Sequence, residues 1–196
     1  MSLLFETIRI IDGSVQNISL HEARMNQSRR IIFGRTDPVH LTDHIIVPAA
    51  SAHGLVRCRI IYGPDVRSAE YFPYKPAVVR TLRKIEDNTV IYDHKYLDRE
   101  RLNALIDKTM ADDILIIRDG CVTDCSYANI VFLDGSQWVT PDTPLLRGTM
   151  REKLLIEGVI TERKITQNDL QSFSHFRLVN AMLGFGFPVQ PVANIQ

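Results

Sequence analysis

The segment YDHKYLDRERL places a lysine, Lys95, between a histidine and a helix-start signal. Asp98 is spaced to cap a helix whose apolar residues fall at Leu102, Leu105, Ile106 and Met110, one face of a helical repeat. The extended run TVIYDHK leaves Lys95 at the end of a strand-like stretch, beside that helix start. A partly desolvated lysine amine loses its proton more readily and can condense with a carbonyl to form a Schiff base. A solvated surface charge is the other role open to any single lysine. The residues that could share a site with Lys95 therefore matter most.

Three further segments carry fitting chemistry. VTDCSYANIVFLDG contains a carboxylate, Asp124, then small and polar residues, then Asn129. A carboxylate facing a pyridine nitrogen keeps it protonated and makes the ring an electron sink for a carbanion. A polar bulge at a strand end is the alternative. TPLLRGTMREKLL sets Gly148, Thr149 and Met150 at the opening of a helix with Leu154 and Leu155 on its apolar side. The N–H groups of a helix start suit a phosphate. SLHEARM puts Arg24 in the first turns of the first helix, with His21 one turn earlier. A guanidinium there can clamp a phosphate or simply face solvent. Pyridoxal 5′-phosphate (PLP) is the cofactor most often held by a lysine Schiff base.

The elements that must position these residues are marked by turns. Asp-Gly pairs in RIIDGSV, IIRDGCV and VFLDGSQWV each join two apolar, β-branched runs and predict three hairpins. HEARMNQSRRIIFG predicts a helix ending at Gly34. LVRCRIIYG, SAEYFPYKP and AVVRTLRKI predict strands. Further along, the pattern predicts hairpins over 114–140, a helix from Gly148 to near Gly158, a short helical stretch near Asn168–Ser172 and closing strands around FRLVNAML. Strands and helices in clumps argue for an α+β fold in two lobes. The expected division is an N-terminal lobe over 1–85, a connector over 86–97 and a C-terminal lobe over 98–196.

Bulk composition narrows the partners. The chain has 196 residues, 45% of them hydrophobic, enough for a sizeable core. Lys plus Arg equals Asp plus Glu at 23 each, so no global basic field points to nucleic acid. No apolar run is long enough to span a bilayer. MSLLFETIRIIDG has Glu6 and Arg9 inside its apolar stretch and no basic lead, unlike a signal peptide. Cys58, Cys121 and Cys125 predict reduced thiols in a cytoplasmic protein, and no second Cys or His pair follows at metal-ligand spacing.

Five motifs together resemble the class IV PLP enzymes, which include branched-chain and D-amino-acid aminotransferases and 4-amino-4-deoxychorismate lyases. LFETIRIIDG with LHEAR resembles the family's early strand and H-x-x-R helix. HKYLDR resembles its K-x-L-[ND]-R lysine segment, and VTDCSYANIVFLDG its V-[TS]-E-x-[ST]-x-x-N-[IL]. TPLLRGTMR and LVNAMLGFGFPVQPV resemble the remaining two, the Asn-Ala pair being closest to the lyase version. The resemblance implies the two-lobed fold of D-amino-acid aminotransferase, with PLP in the interdomain cleft, a homodimer and a small amino substrate. It implies Lys95 as Schiff-base lysine and proton carrier, and Asp124 at the ring nitrogen. Arg24 and the N–H groups of Thr149 and Met150 would hold the phosphate, with Asn129, Asn180 and Ala181 also around the cofactor. Two features depart from the pattern. Asp124 stands where the family has glutamate, one methylene longer. LLFETI also starts at residue 3, where relatives carry extra strands that help wall the substrate pocket.

The lyase wording implies that Lys95 removes the α-proton of aminodeoxychorismate, that pyruvate leaves by β-elimination, and that the ring becomes aromatic as 4-aminobenzoate. A class IV aminotransferase acting on branched-chain or D-amino acids is the alternative. A PLP-binding homologue with impaired turnover is the second.

Overall fold

The computed structural model describes residues 2–107 and 109–196. The chain divides into two compact units, Met1–Pro76 with His94–Asp98, and Ala77–Asp93 with Arg99–Gln196.

In the first unit, β1 (Leu4–Ile11), β2 (Ser14–Val15), β3 (Leu55–Tyr62) and β4 (Val66–Pro73) form an antiparallel sheet in the order β2-β1-β3-β4. Alternation decides which face is buried. Leu4, Ile8 and Ile10 of β1 and Val56, Cys58, Ile60 and Tyr62 of β3 point into one core with Met25 of α1 (Ile18–Phe33). α1 ends at Gly34, whose φ of 66° lets its N–H turn back to the carbonyls of Arg29 and Arg30. β2 pairs with only Ile10 and Ile11 of β1. Near the opposite end of β1, Phe5 N–H donates to the Lys95 carbonyl (2.9 Å) and Leu97 N–H to the Leu3 carbonyl (2.8 Å). Leu4 lies opposite Tyr96 there. The lysine segment is therefore held extended alongside the start of β1.

In the second unit, β5 (Leu82–Glu86) runs parallel to β6 (Asp113–Arg118), which pairs antiparallel with β7 (Cys121–Cys125). A second sheet has the order β10-β9-β8-β11-β12, built from β8 (Asn129–Asp134), β9 (Gln137–Pro141), β10 (Ile160–Arg163), β11 (His175–Val179) and β12 (Gln190–Pro191). β9 and β10 are parallel, and α3 (Thr149–Ile156) lies in the crossover between them. Leu115, Ile117 and Val122 from one sheet share a core with Ile130, Phe132, Phe176 and Leu178 from the other.

All three Asp-Gly hairpins form, with two kinds of turn. Asp12 and Gly13, and Asp119 and Gly120, have positive φ throughout, as a type I′ turn requires. In the third, Asp134 is the last strand residue, opposite Gln137, and Gly135-Ser136 is the loop.

Four sequence expectations are corrected. β5 belongs to the second unit, not the first lobe, because its hydrogen-bonding partner is β6. Residues 86–97 are accordingly not one connector: those up to Asp93 stay with the second unit, and His94–Asp98 return to the first. The helix after Lys95, α2, spans Glu100–Ile106 with Arg99 at the N-cap position and no side-chain cap bond. Leu97 N–H is still tied to the Leu3 carbonyl just before it. Leu102 and Leu105 are buried as expected, but Met110 lies beyond the helix and is exposed. Finally, FRLVNAML stops being a strand at Val179. The Asn180 side-chain oxygen accepts from the N–H groups of Met182 and Leu183 and folds the chain into a turn.

No helix among the described residues is long and apolar enough to cross a membrane.

Gly120 has φ +73° with open space around its missing Cβ, whereas Gly63 is not in the positive-φ region and a Cβ there would meet only Leu3 at 3.6 Å and Arg67 at 4.0 Å. Gly120→Ala should cost about 1 kcal/mol of unfolding free energy in urea titrations, and Gly63→Ala clearly less. Equal costs would contradict the assigned turn.

Candidate active site

In the first unit the site begins with a residue that sequence reading leaves unassigned. Position 6 has the buried parity of β1, so strand alternation drives Glu6 into the core, where it is fully inaccessible. A carboxylate is stable there only if donors replace water. α1 supplies them from successive turns. Arg24 Nε donates to Glu6 Oε1 at 3.0 Å and Nη2 to Oε2 at 2.5 Å, and His21 Nδ1 is 2.7 Å from Oε2. Burial pushes the Glu6 carboxyl upward, but the Arg24 charge and the bonds from His21 and Arg24 outweigh it and hold the group at about 2. Burial lowers His21 despite the Glu6 bond, which favours a neutral imidazole. The signal was present in LFETIRII: a lone acid in register with Leu4, Ile8 and Ile10.

Lys95 lies beside this triad. Its Nζ is 4.7 Å from the ring centroid of Phe5, the residue before Glu6, a cation–π distance. Nδ1 of the neighbouring His94 is 3.0 Å from Ser28 Oγ on α1. The structure thus gathers Lys95, Arg24 and His21 around the first strand. It also commits two guanidinium nitrogens of Arg24 to Glu6.

In the second unit Asp124 lies on β7, almost fully buried. Asn129, the first residue of β8, donates from Nδ2 to Asp124 Oδ1 at 2.7 Å and to the Leu146 carbonyl at 2.8 Å. Leu146 N–H donates to Asp124 Oδ2 at 2.9 Å. Burial raises the Asp124 carboxyl to about 6, against the opposing pull of these donors and of the Arg151 charge. Two residues past Leu146, Gly148 occupies the N-cap position of α3, and Thr149 and Met150 are the first residues of the helix. Their N–H groups precede the first intrahelical bond, which runs from Glu152 to the Gly148 carbonyl at 2.9 Å. Asn180 Nδ2 reaches the Tyr127 carbonyl, in the β7–β8 turn, at 3.3 Å, and Ala181 follows in the closing turn. Asp124, Asn129 and the start of α3 therefore form one connected group. Asn180 and Ala181 join it through the β7–β8 turn.

Residues 3–195 match the family model for amino-transferase class IV. An uncharacterized protein of Haemophilus influenzae is 42% identical over 184 residues, 92% of this chain and 98% of that one. A crystal structure from Haemophilus somnus 129pt, provisionally named a 4-amino-4-deoxychorismate lyase, is 40% identical with a TM-score of 0.88, covering 94% of this chain and 98% of that one. The branched-chain amino acid aminotransferase of Escherichia coli, 15% identical with a TM-score of 0.69 over 99% of this chain and 76% of its own, shares the fold. The chain belongs to the amino-transferase class IV family, the PLP-dependent enzymes that its motifs resemble.

Glu6 gives a pH signature. Its folded value of about 2 lies below the unfolded 4.5, so its contribution to stability is complete above about pH 5 and is lost as pH falls toward 2. The shift corresponds to about 3 kcal/mol. In urea titrations from pH 7 to pH 3, the stability gap between wild type and Glu6→Gln should narrow steadily below pH 5. A pH-independent gap would show that Glu6 is not held as an ionised group.

Proposed function

We propose that this protein is a PLP-dependent lyase of the 4-amino-4-deoxychorismate type, releasing pyruvate and leaving 4-aminobenzoate. The observation that carries the reading is the 40% identity to the Haemophilus somnus protein over nearly the full length of both chains. The donor set fits the cofactor: an amine at Lys95, a guanidinium at Arg24, a helix start at Thr149 and Met150, and a buried carboxylate at Asp124.

When bound, PLP supplies a carbonyl for amines and a ring that accepts the electron pair of a substrate carbanion. The residues of this chain do the rest. Lys95 would hold the cofactor covalently, and its Nζ, when free, would take the α-proton. Arg24, steadied by Glu6, and the N–H groups of Thr149 and Met150 bind the phosphate. The Asp124 carboxylate would serve the ring nitrogen and favour its protonated form, which would lower the barrier to α-proton removal more than it tightens binding. Asn180 and Ala181 line the site. Loss of pyruvate aromatises the product ring, so elimination is strongly downhill and no second amino acceptor is required. The reading also places the enzyme in the cytoplasm, with free thiols, as a homodimer.

Two measurements test it. Protein loaded with PLP should absorb in the visible, and borohydride should fix the cofactor to Lys95. Lys95→Ala should lose both the visible band and turnover while melting as wild type does. Retained activity in that variant would overturn the assignment. With 4-amino-4-deoxychorismate as substrate, pyruvate and 4-aminobenzoate should appear in equal amounts. Keto-acid formation from branched-chain or D-amino acids, without pyruvate release, would make the protein an aminotransferase instead.

A further inference from the structure

Asn129 has the position of a cofactor ligand in the motif, yet its side chain is spent elsewhere. Both Nδ2 hydrogens have acceptors, Asp124 Oδ1 at 2.7 Å and the Leu146 carbonyl at 2.8 Å. Both acceptors demand a donor, which fixes which end of the amide is nitrogen. Leu146 N–H closes the circuit on Asp124 Oδ2 at 2.9 Å. The amide oxygen then points at Gly148. A Cβ placed on Gly148 would sit 2.0 Å from Asn129 Oδ1 and 3.2 Å from Cγ, an impossible approach. Gly148 has φ −71° and ψ 142°, which any residue adopts. Glycine is therefore required here by the space Asn129 occupies, not by backbone conformation.

We infer that Asn129 is a positioning residue that clamps Asp124 to the loop entering α3, so that the acid and the helix start are set as one unit. The consequence for the cofactor rests on the function proposed above, in which Asp124 serves the ring nitrogen and the helix start the phosphate. The clamp suits the shorter acid. With one methylene fewer than the family's glutamate, Asp124 has its two oxygens anchored by protein donors. Each carboxylate oxygen has two lone pairs, so the anchored group can still accept a further hydrogen bond. Misplacing Gly148 disturbs Asp124 through Asn129, and removing Asn129 releases both ends.

A double-mutant cycle tests the clamp, using Gly148→Ala, Asn129→Ala and the pair together. Gly148→Ala should weaken PLP binding about tenfold or more and lower the apoprotein melting temperature, because its Cβ displaces Asn129. Asn129→Ala should weaken PLP binding similarly. It should also shift the acid limb of the turnover–pH profile upward by about one unit, since the buried carboxylate loses a donor that favours its ionised form. A packing defect alone would not move that limb. In the double variant the space left by the amide accepts the new Cβ, so it should bind PLP and melt no worse than Asn129→Ala alone. If Gly148→Ala fails to fold, rescue by Asn129→Ala is the same result in stronger form. Multiplying fold-changes, or an unmoved acid limb in Asn129→Ala, would overturn the inference. If wild type binds no PLP, the proposed function fails, and the melting temperatures of the four apoproteins still decide whether the clamp exists.

Discussion

A carboxylate removed from water must be met by donors, and this requirement organises the chemistry-bearing part of each unit. In the first unit it explains why two α1 side chains turn inward beneath β1. Glu6 occupies a core position of the strand, and without Arg24 and His21 it would have to stay protonated or unfold the sheet. In the second unit the same requirement ties β7, β8 and the loop before α3 to one side chain, Asp124.

The two acids end at opposite extremes from the same starting penalty. Glu6 is compensated by a full positive charge as well as hydrogen bonds, and is held at about 2. Asp124 has nearby neutral donors and a more diffuse attraction from Arg151, and burial wins, taking it to about 6. This difference suits different tasks. An acid that never titrates near neutrality is a fixed support for an arginine. An acid poised nearer to neutrality can respond to what binds beside it, as the role proposed for Asp124 requires.

Local chemistry made much of the fold legible. The Asp-Gly pairs at Asp12, Asp119 and Asp134 marked hairpins because few sequences tolerate positive φ at a tight turn. Gly34 marked the end of α1 for a similar reason. What stayed hidden depends on partners distant in sequence. Nothing within AVVRTLRKI says that it pairs with Asp113–Arg118 and not with the preceding strands. Nothing within HKYLDR says that residues 95–97 lie along the start of β1. Motif order identified the family. The tasks of individual residues needed coordinates, as with Asn129, whose amide is engaged by Asp124 and Leu146.

Direct titration of the two carboxyl groups tests the account at its root. In protein labelled with carbon-13 at the side-chain carboxyls, the Asp124 signal should titrate with a midpoint near 6 and the Glu6 signal near 2, as far as the fold survives. Substitution of each residue by its amide would assign the signals. An Asp124 midpoint near 3.8, the ordinary aspartate value, would contradict the dominance of burial over its donors. A midpoint that Asn129→Ala leaves unmoved would contradict the buried network with Asn129 and the role drawn from it.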